Sequence, residues 1–174
     1  MGSTIKHMIL HIAKYSSKIV VSNAEGDVTG VTRSLVDSFI ISVASLNILN
    51  TSLSTYIIDE LGLDAKDLNG VGAAFKEPIA HSAPIAIAKE TAALCKAIES
   101  TDHFEIYTKN SREVILSAYK NIAQIALAEL TNLDFLDIES EIEDRLYNVE
   151  QKNIHFQFLG NYRDGYNCFG AGIN

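Results

Sequence analysis

The chain has little of several residue types that mark particular protein classes. Its 174 residues include two prolines, two cysteines and no tryptophan. Because proline breaks helices and marks loops, its scarcity favours long uninterrupted helices. Cys95 and Cys168 stand apart, with neither a CxxC spacing nor a neighbouring histidine, so the sequence predicts neither a zinc site nor a disulfide framework. We interpret them as one helical core thiol and one tail thiol in a reducing cytoplasm.

Basic residues are also few. The chain has 14 Lys and Arg against 22 Asp and Glu, a net charge of −8, and no two basic residues are adjacent. Nucleic-acid binding needs clustered basic residues, so this class of function is disfavoured. The most apolar stretch is interrupted by Asp37, and the opening residues lack the features of a secretory signal. We therefore expect a cytoplasmic protein without a membrane-spanning segment.

Apolar residues recur at helical spacing along most of the chain and predict an all-α bundle of four to six helices in a single domain, 1–174. The predicted helices cover about residues 5–21, 31–50, 52–61, 80–100, 111–130 and 135–152. Residues 62–78, with three glycines and a closing proline, are the best linker candidate. The helices at 31–50 and 111–130 are apolar almost all round, which indicates central positions and favours a homodimer.

Three pairs of similar segments suggest an internal duplication. "IAKYSSKI" (12–19) matches "IAKETAAL" (87–94), "TRSLVDS" (32–38) matches "SREVILS" (111–117), and "IIDEL" (57–61) matches "IEDRL" (142–146). The duplication predicts repeat one at about 5–62, repeat two at about 80–152, and a tail, 153–174, outside both. The two central helices would then cross near a pseudo-twofold axis. Chance similarity between helical sequences is the alternative.

The layout of each repeat resembles the all-α nucleoside triphosphate pyrophosphatases, the superfamily of MazG-like proteins, phosphoribosyl-ATP pyrophosphatase and dimeric dUTPases. "SLVDSFIISVASLNILN" (34–50) is similar to the second motif helix of that family, an ExxD motif followed by an apolar run. "KNIHFQFLGNYRDGY" (152–166) resembles the phosphate-contacting ending of the dUTPase-like branch. The resemblance implies four carboxylates, from an EExxE helix and an ExxD helix, that hold Mg²⁺ against a triphosphate.

The chain departs from that motif in both repeats. The ExxD position reads Ser34 to Asp37 in repeat one and Glu113 to Leu116 in repeat two, and of the EExxE motif only Glu90 remains. Carried over by position, the resemblance implies Asp37, Glu90 and Glu113 as metal ligands. It also implies phosphate contacts from three residues of the chain's last segment: Lys152, Asn153 and Arg163. Either the two halves complete one site across a shared cleft, or the fold has lost catalysis.

Each candidate also has a structural interpretation. Asp37 could be a buried carboxylate hydrogen-bonded to a stripe of serines or paired with a lysine. Glu113 stands three residues after Asn110, the spacing of a capping box. Glu90 follows Lys89 and could be solvated. His7 and His11, at i and i+4, have a spacing that can bind a metal, but no third ligand is evident and His11 is expected on a wet face.

Two hypotheses follow. The first is a divergent MazG-like protein that binds a nucleoside triphosphate with Mg²⁺ and, if an enzyme, hydrolyses it through metal-activated water. The second is a non-catalytic helical protein that uses the same architecture for oligomerisation or interaction. Whether Asp37, Glu90 and Glu113 converge distinguishes the two hypotheses.

Overall fold

The computed structural model describes residues 2–60, 62, 68–74, 82–102, 108–133 and 137–158. All secondary structure among them is helical, which confirms the predicted all-α class. The helices are α1 (Gly2–Glu25), α2 (Val28–Ile48), α3 (Leu53–Thr55) followed by a π-helical turn (Tyr56–Glu60), α4 (Leu68–Ala74), α5 (Ala83–Asp102), α6 (Ser111–Thr131) and α7 (Ile138–Phe158). The chain divides into two compact units, Met1–Glu139 and Ser140–Asn174. The single domain stays a prediction.

Four long helices of the first unit form an antiparallel bundle. α1 packs against α2 and α5, and α6 packs against the same two helices. Lys6, near the start of α1, forms a 2.6 Å ion pair with Asp102 at the end of α5. Arg112, at the start of α6, donates a hydrogen bond to the carbonyl of Leu49, just after the end of α2. Each helix therefore runs antiparallel to both of its neighbours.

The core consists of aliphatic side chains that all four helices contribute. The largest fully buried ones include Ile12, Ile19, Leu35, Leu46, Ile87, Leu94, Ile122 and Leu127. On α1, α2 and α5 the two listed residues are seven or eleven positions apart, which is two or three helical turns and places them on one face of the helix. Burial of each such side chain contributes about 1.5–3 kcal/mol, so the predicted apolar periodicity accounts for the bundle.

Two described parts of the segment between α2 and α5, Tyr56 and α4, contact α6. Gln124 donates a 3.1 Å hydrogen bond to the hydroxyl of Tyr56, and the Lys120 ammonium lies 4.0 Å from the centroid of the Tyr56 ring. α4 packs farther along α6, with Val71 and Gly72 buried. The prediction of a plain linker over 62–78 is therefore wrong for Leu68–Ala74. Most apolar residues of α6 are buried within one chain, while Val114, Leu116 and Ile125 are half-buried. The predicted homodimer stays a prediction.

Among the described helices, α2 alone is long and apolar enough to cross a membrane by length and composition. Its buried residues include Asp37 and four serines, and it packs between α1 and α6. The core helix of a water-soluble protein passes the same test of length and composition. Buried polar side chains and two packed neighbours favour the core-helix interpretation.

Two smaller predictions need correction. Cys95 is exposed on α5 and is not a core thiol. α7 continues to Phe158, so the first residues of the predicted tail are helical.

The internal duplication stays a prediction. Exchanging α1 for α5 and α2 for α6 leaves the packing pattern unchanged, but any antiparallel ring of four helices has that property.

Candidate functional site

An open cavity of about 450 Å³ lies along the α5–α6 hairpin. Two of the three predicted metal ligands, Glu90 and Glu113, line it. The other described polar residues around it are Thr108, Lys109, Asn110 and Ser117. Its volume is within the usual range for small-molecule sites. The cavity is therefore the place where the sequence-predicted residues and a ligand-sized space coincide.

At one end of the cavity, Glu113 belongs to the cap of α6. The Asn110 side-chain oxygen accepts hydrogen bonds from the backbone N–H groups of Arg112, at 3.0 Å, and Glu113, at 3.4 Å. The Asn110 amide in turn donates to the Glu113 carboxylate at 3.3 Å. Asn110 is thus the N-cap, as predicted, and Glu113 reinforces it through the side-chain amide. The structural interpretation of Glu113 is supported.

At the other end, Glu90 is half-buried between α5 and α6. The side-chain amide of Asn121 on α6 donates a 3.2 Å hydrogen bond to its Oε2 atom. The interpretation of Glu90 as a solvated carboxylate is therefore not supported, because a partner on the neighbouring helix holds the carboxylate. Sequence reasoning missed Asn121. The sequence signal that could have indicated Asn121 is its amide side chain in the middle of a largely apolar helix.

Asp37 lies on α2 with only 8% of its surface exposed. It is not among the described residues that line the α5–α6 cavity. The neighbouring serine hydroxyls donate to their own helix, each to the carbonyl four residues earlier: Ser38 to Ser34, Ser42 to Ser38 and Ser45 to Ile41, at 2.7–2.8 Å. A hydroxyl has one proton, so these three serines do not solvate Asp37 as expected.

The three carboxylates do not form a metal cluster. Glu90 lies opposite Asn121, and Glu113 is eight residues earlier on α6, which places it ~12 Å along the helix axis at ~1.5 Å per residue. Two ligands of one Mg²⁺ ion lie at most ~4.2 Å apart, because each bond is ~2.1 Å. No group of three His, Cys, Asp or Glu side chains that could hold a metal occurs in the described part of the chain.

The predicted phosphate contacts cannot be placed in the same way. Lys152 and Asn153 lie within α7, but their side chains are outside the described residues, and Arg163 lies outside them entirely. Lys109 is a described cation at the cavity. The sequence did not single it out, because no motif surrounds it.

The two N-terminal histidines form a close pair on α1. Their Nε2 atoms are 3.0 Å apart, and the Lys14 ammonium lies 3.5 Å from Nδ1 of His11. His11 is half-buried where a wet face was expected. Its pKa is lowered by burial, and by the charges of Lys14 and His7, while Asp37 acts in the opposite direction. The spacing was visible in the sequence, but the direct contact was not.

Comparisons with protein-family models, with curated proteins and with solved structures returned no match to this chain. The resemblance to the all-α pyrophosphatases therefore remains a prediction from the sequence.

Proposed function

We propose that this chain is a non-catalytic helical protein that associates with a second copy of itself through the outer face of α1. Leu10 and Val21 are 68% and 53% exposed. They are eleven residues apart, which is three helical turns, so both side chains lie on one face of α1. Lys14, Ser17 and Lys18 are the exposed residues between them on this face. The face therefore presents two large apolar side chains separated by polar ones, a mixture that interfaces between protein chains can have. This observation carries the proposal.

Neighbouring helices extend the apolar character toward one end of the bundle. Val28, at the start of α2, is 55% exposed, and Ile85, at the start of α5, is 58% exposed. Both helices pack against α1 and begin where α1 ends. The exposed side chains thus belong to three contiguous helices. A cytoplasmic location fits a protein of this kind.

The arrangement of the carboxylates supports this function over hydrolysis. Metal-dependent cleavage of a triphosphate needs several carboxylates around one ion. Here Glu113 reinforces a helix cap, Glu90 accepts from Asn121, and Asp37 is buried on α2. Glu113 and Glu90 thus each have a partner within the bundle that does not require a ligand.

Light scattering coupled to size-exclusion chromatography tests self-association directly. We expect a concentration-dependent dimer that Leu10→Glu combined with Val21→Glu converts to a monomer with unchanged helicity. Val149→Glu on α7 is the control, because it places the same charge on an exposed valine outside the α1 face. A wild-type chain that remains monomeric up to high concentration would contradict the proposal.

A nucleotide-binding function is the second candidate, and the α5–α6 cavity favours it. Glu90 and Glu113, the remnants of the family's two motifs in repeat two, line one space of suitable size together with Lys109. The separation of the carboxylates is compatible with an elongated phosphorylated ligand, with Mg²⁺ carried on its phosphates. This candidate predicts ligand binding without requiring hydrolysis.

Thermal unfolding with a nucleotide panel, with and without Mg²⁺, tests this second candidate. A ligand at 100 times its Kd stabilises the native state by about 2.7 kcal/mol. Glu90→Gln should remove the shift, whereas Glu99→Gln, the same change on the exposed side of α5, should retain it. If no nucleotide of the panel shifts the unfolding temperature, self-association is the function that remains.

A further inference from the structure

His7 and His11 stand one helical turn apart on α1, with both Nε2 atoms directed at each other at 3.0 Å. Their ring centroids are 4.5 Å apart. His7 is exposed and His11 is half-buried, so solvent reaches the space between the rings. Neither residue lines the α5–α6 cavity.

The separation of the two nitrogen atoms fits two ligands of one metal ion. Imidazole nitrogen binds such ions at ~2.05 Å, so two nitrogens at a right angle around the ion are ~2.9 Å apart, whereas tetrahedral ligands are ~3.3 Å apart. The observed 3.0 Å is closer to the right-angle arrangement. That arrangement is preferred by Cu²⁺ and Ni²⁺ and not by Zn²⁺.

We propose that His7 and His11 form a bidentate site for a square-planar or octahedral transition-metal ion, Cu²⁺ or Ni²⁺, whose remaining positions are filled by water. This site shares no residue with the nucleotide cavity. It lies on the same face of α1 as Leu10, since His7 is three residues before Leu10 and Lys14 four residues after it. It does not rest on the proposed association, because one chain supplies both ligands.

The protonation of the pair follows from Lys14. The Lys14 ammonium can only donate, so Nδ1 of His11 accepts and Nε2 of His11 carries the ring proton toward His7. When the metal binds, that proton moves through solvent to Nδ1, and both Nε2 lone pairs become ligands. Lys14 must then turn away from Nδ1, which its exposure on α1 allows.

Two charged groups near His11 act on a bound cation in opposite directions. The negative charge of Asp37, which acts on the His11 ring, attracts the cation. Lys14 repels it, because its ammonium lies 3.5 Å from the ring.

Titration calorimetry of the full chain with Cu²⁺, Ni²⁺ and Zn²⁺ above pH ~7.5, where an ordinary imidazole is neutral, tests the site. We expect one ion per chain, with Cu²⁺ bound most tightly and Ni²⁺ ahead of Zn²⁺. His7→Ala and His11→Gln should each weaken Cu²⁺ binding more than about tenfold, since even the loss of an outer-shell partner costs that much. Replacement of the other three histidines, His81, His103 and His155, should leave it unchanged.

Lysine variants give a readout that a structural role of the histidines would not produce. Lys14→Gln should tighten Cu²⁺ binding, because it removes the repulsive charge and offers a carbonyl oxygen to Nδ1–H. Lys18→Gln, one turn farther along α1, should have a smaller effect. Binding retained in His7→Ala, a preference for Zn²⁺ over Ni²⁺, or one ion per two chains would overturn the proposal.

Discussion

The guanidinium of Arg112 donates a 2.7 Å hydrogen bond to the backbone carbonyl of Leu49, a residue 63 positions earlier in the chain. Leu49 is the C-cap of α2, where carbonyl groups lack partners within the helix. The positive charge also lies at the negative end of the α2 dipole. Arg112, in the first turn of α6, therefore caps the C-terminal end of α2.

Replacing Arg112 by alanine should destabilise the chain by about 1.5 kcal/mol, the lower end of the range for a hydrogen bond to a charged group, because Arg112 is exposed. Urea unfolding followed by circular dichroism measures the change. Arg33→Ala, an exposed arginine on α2, is the matched control and should stay within ~0.5 kcal/mol of the wild type. Equal effects of the two variants would show that the contact with Leu49 does not stabilise the fold.

Asp37→Asn should change stability and the titration of His11 but leave any nucleotide response intact, because Asp37 is not among the described residues lining the cavity. Asp37 raises the pKa of His11, so its neutralisation should lower that pKa further, as measured by NMR. Glu25→Gln should leave the His11 titration unchanged, because Glu25 is 14 residues along α1, ~21 Å away and beyond the ~10 Å screening length. Loss of the nucleotide response in Asp37→Asn would instead show that Asp37 takes part in ligand binding.

The lowered pKa of His11, caused first by burial, predicts an acid-sensitive bundle. The unfolded chain takes up a proton at this residue near pH ~6.5, before the folded chain does. The contribution of His11 to stability is therefore complete above that pH and is lost as the pH falls through the folded pKa. The difference between the stability–pH curves of the wild type and His11→Gln isolates this contribution. Parallel curves would contradict the prediction.

Tyr119 predicts the opposite pH dependence at alkaline pH. Its side chain is fully buried, and burial raises its pKa to about 12, partly offset by the nearby Ser45 hydroxyl. An unfolded tyrosine ionises near pH ~10, so stability should decrease as the pH rises from there towards about 12. Tyr119→Phe should remove this component of the alkaline transition. The ionisation of Tyr119 is followed by tyrosinate absorbance. Tyr147→Phe is the control, because Tyr147 is exposed.

α4 approaches α6 closely at Gly72. A β-carbon at this position would lie 2.8 Å from the backbone oxygen of Leu127 and would also clash with the Thr131 hydroxyl. Gly72→Ala should therefore destabilise the docking of α4, by about 1–3 kcal/mol as for other overpacked sites. Asn69→Ala, an exposed change on the same helix, should not destabilise it. Hydrogen exchange of the α4 amides measures the effect locally.

Helix positions could be predicted from the sequence because their signals are local. Apolar spacing located the four long helices to within a few residues, and the pairing of Asn110 with Glu113 located the start of α6. The site could not be predicted in the same way. The contact of Glu90 with Asn121 joins positions 31 apart, and no local pattern records which residues of two helices face each other. The short α4 was missed because its burial depends on α6, not on its own periodicity.

The antiparallel ring also has a consequence for the order of folding. The pairs α1–α2 and α5–α6 are hairpins of neighbouring helices, whereas the seam between α2 and α6 joins residues as distant as Leu49 and Arg112. Contacts between nearby residues close at a lower entropic cost, so each hairpin should form before the seam. In stopped-flow experiments, Arg112→Ala should therefore accelerate unfolding and leave the refolding rate almost unchanged.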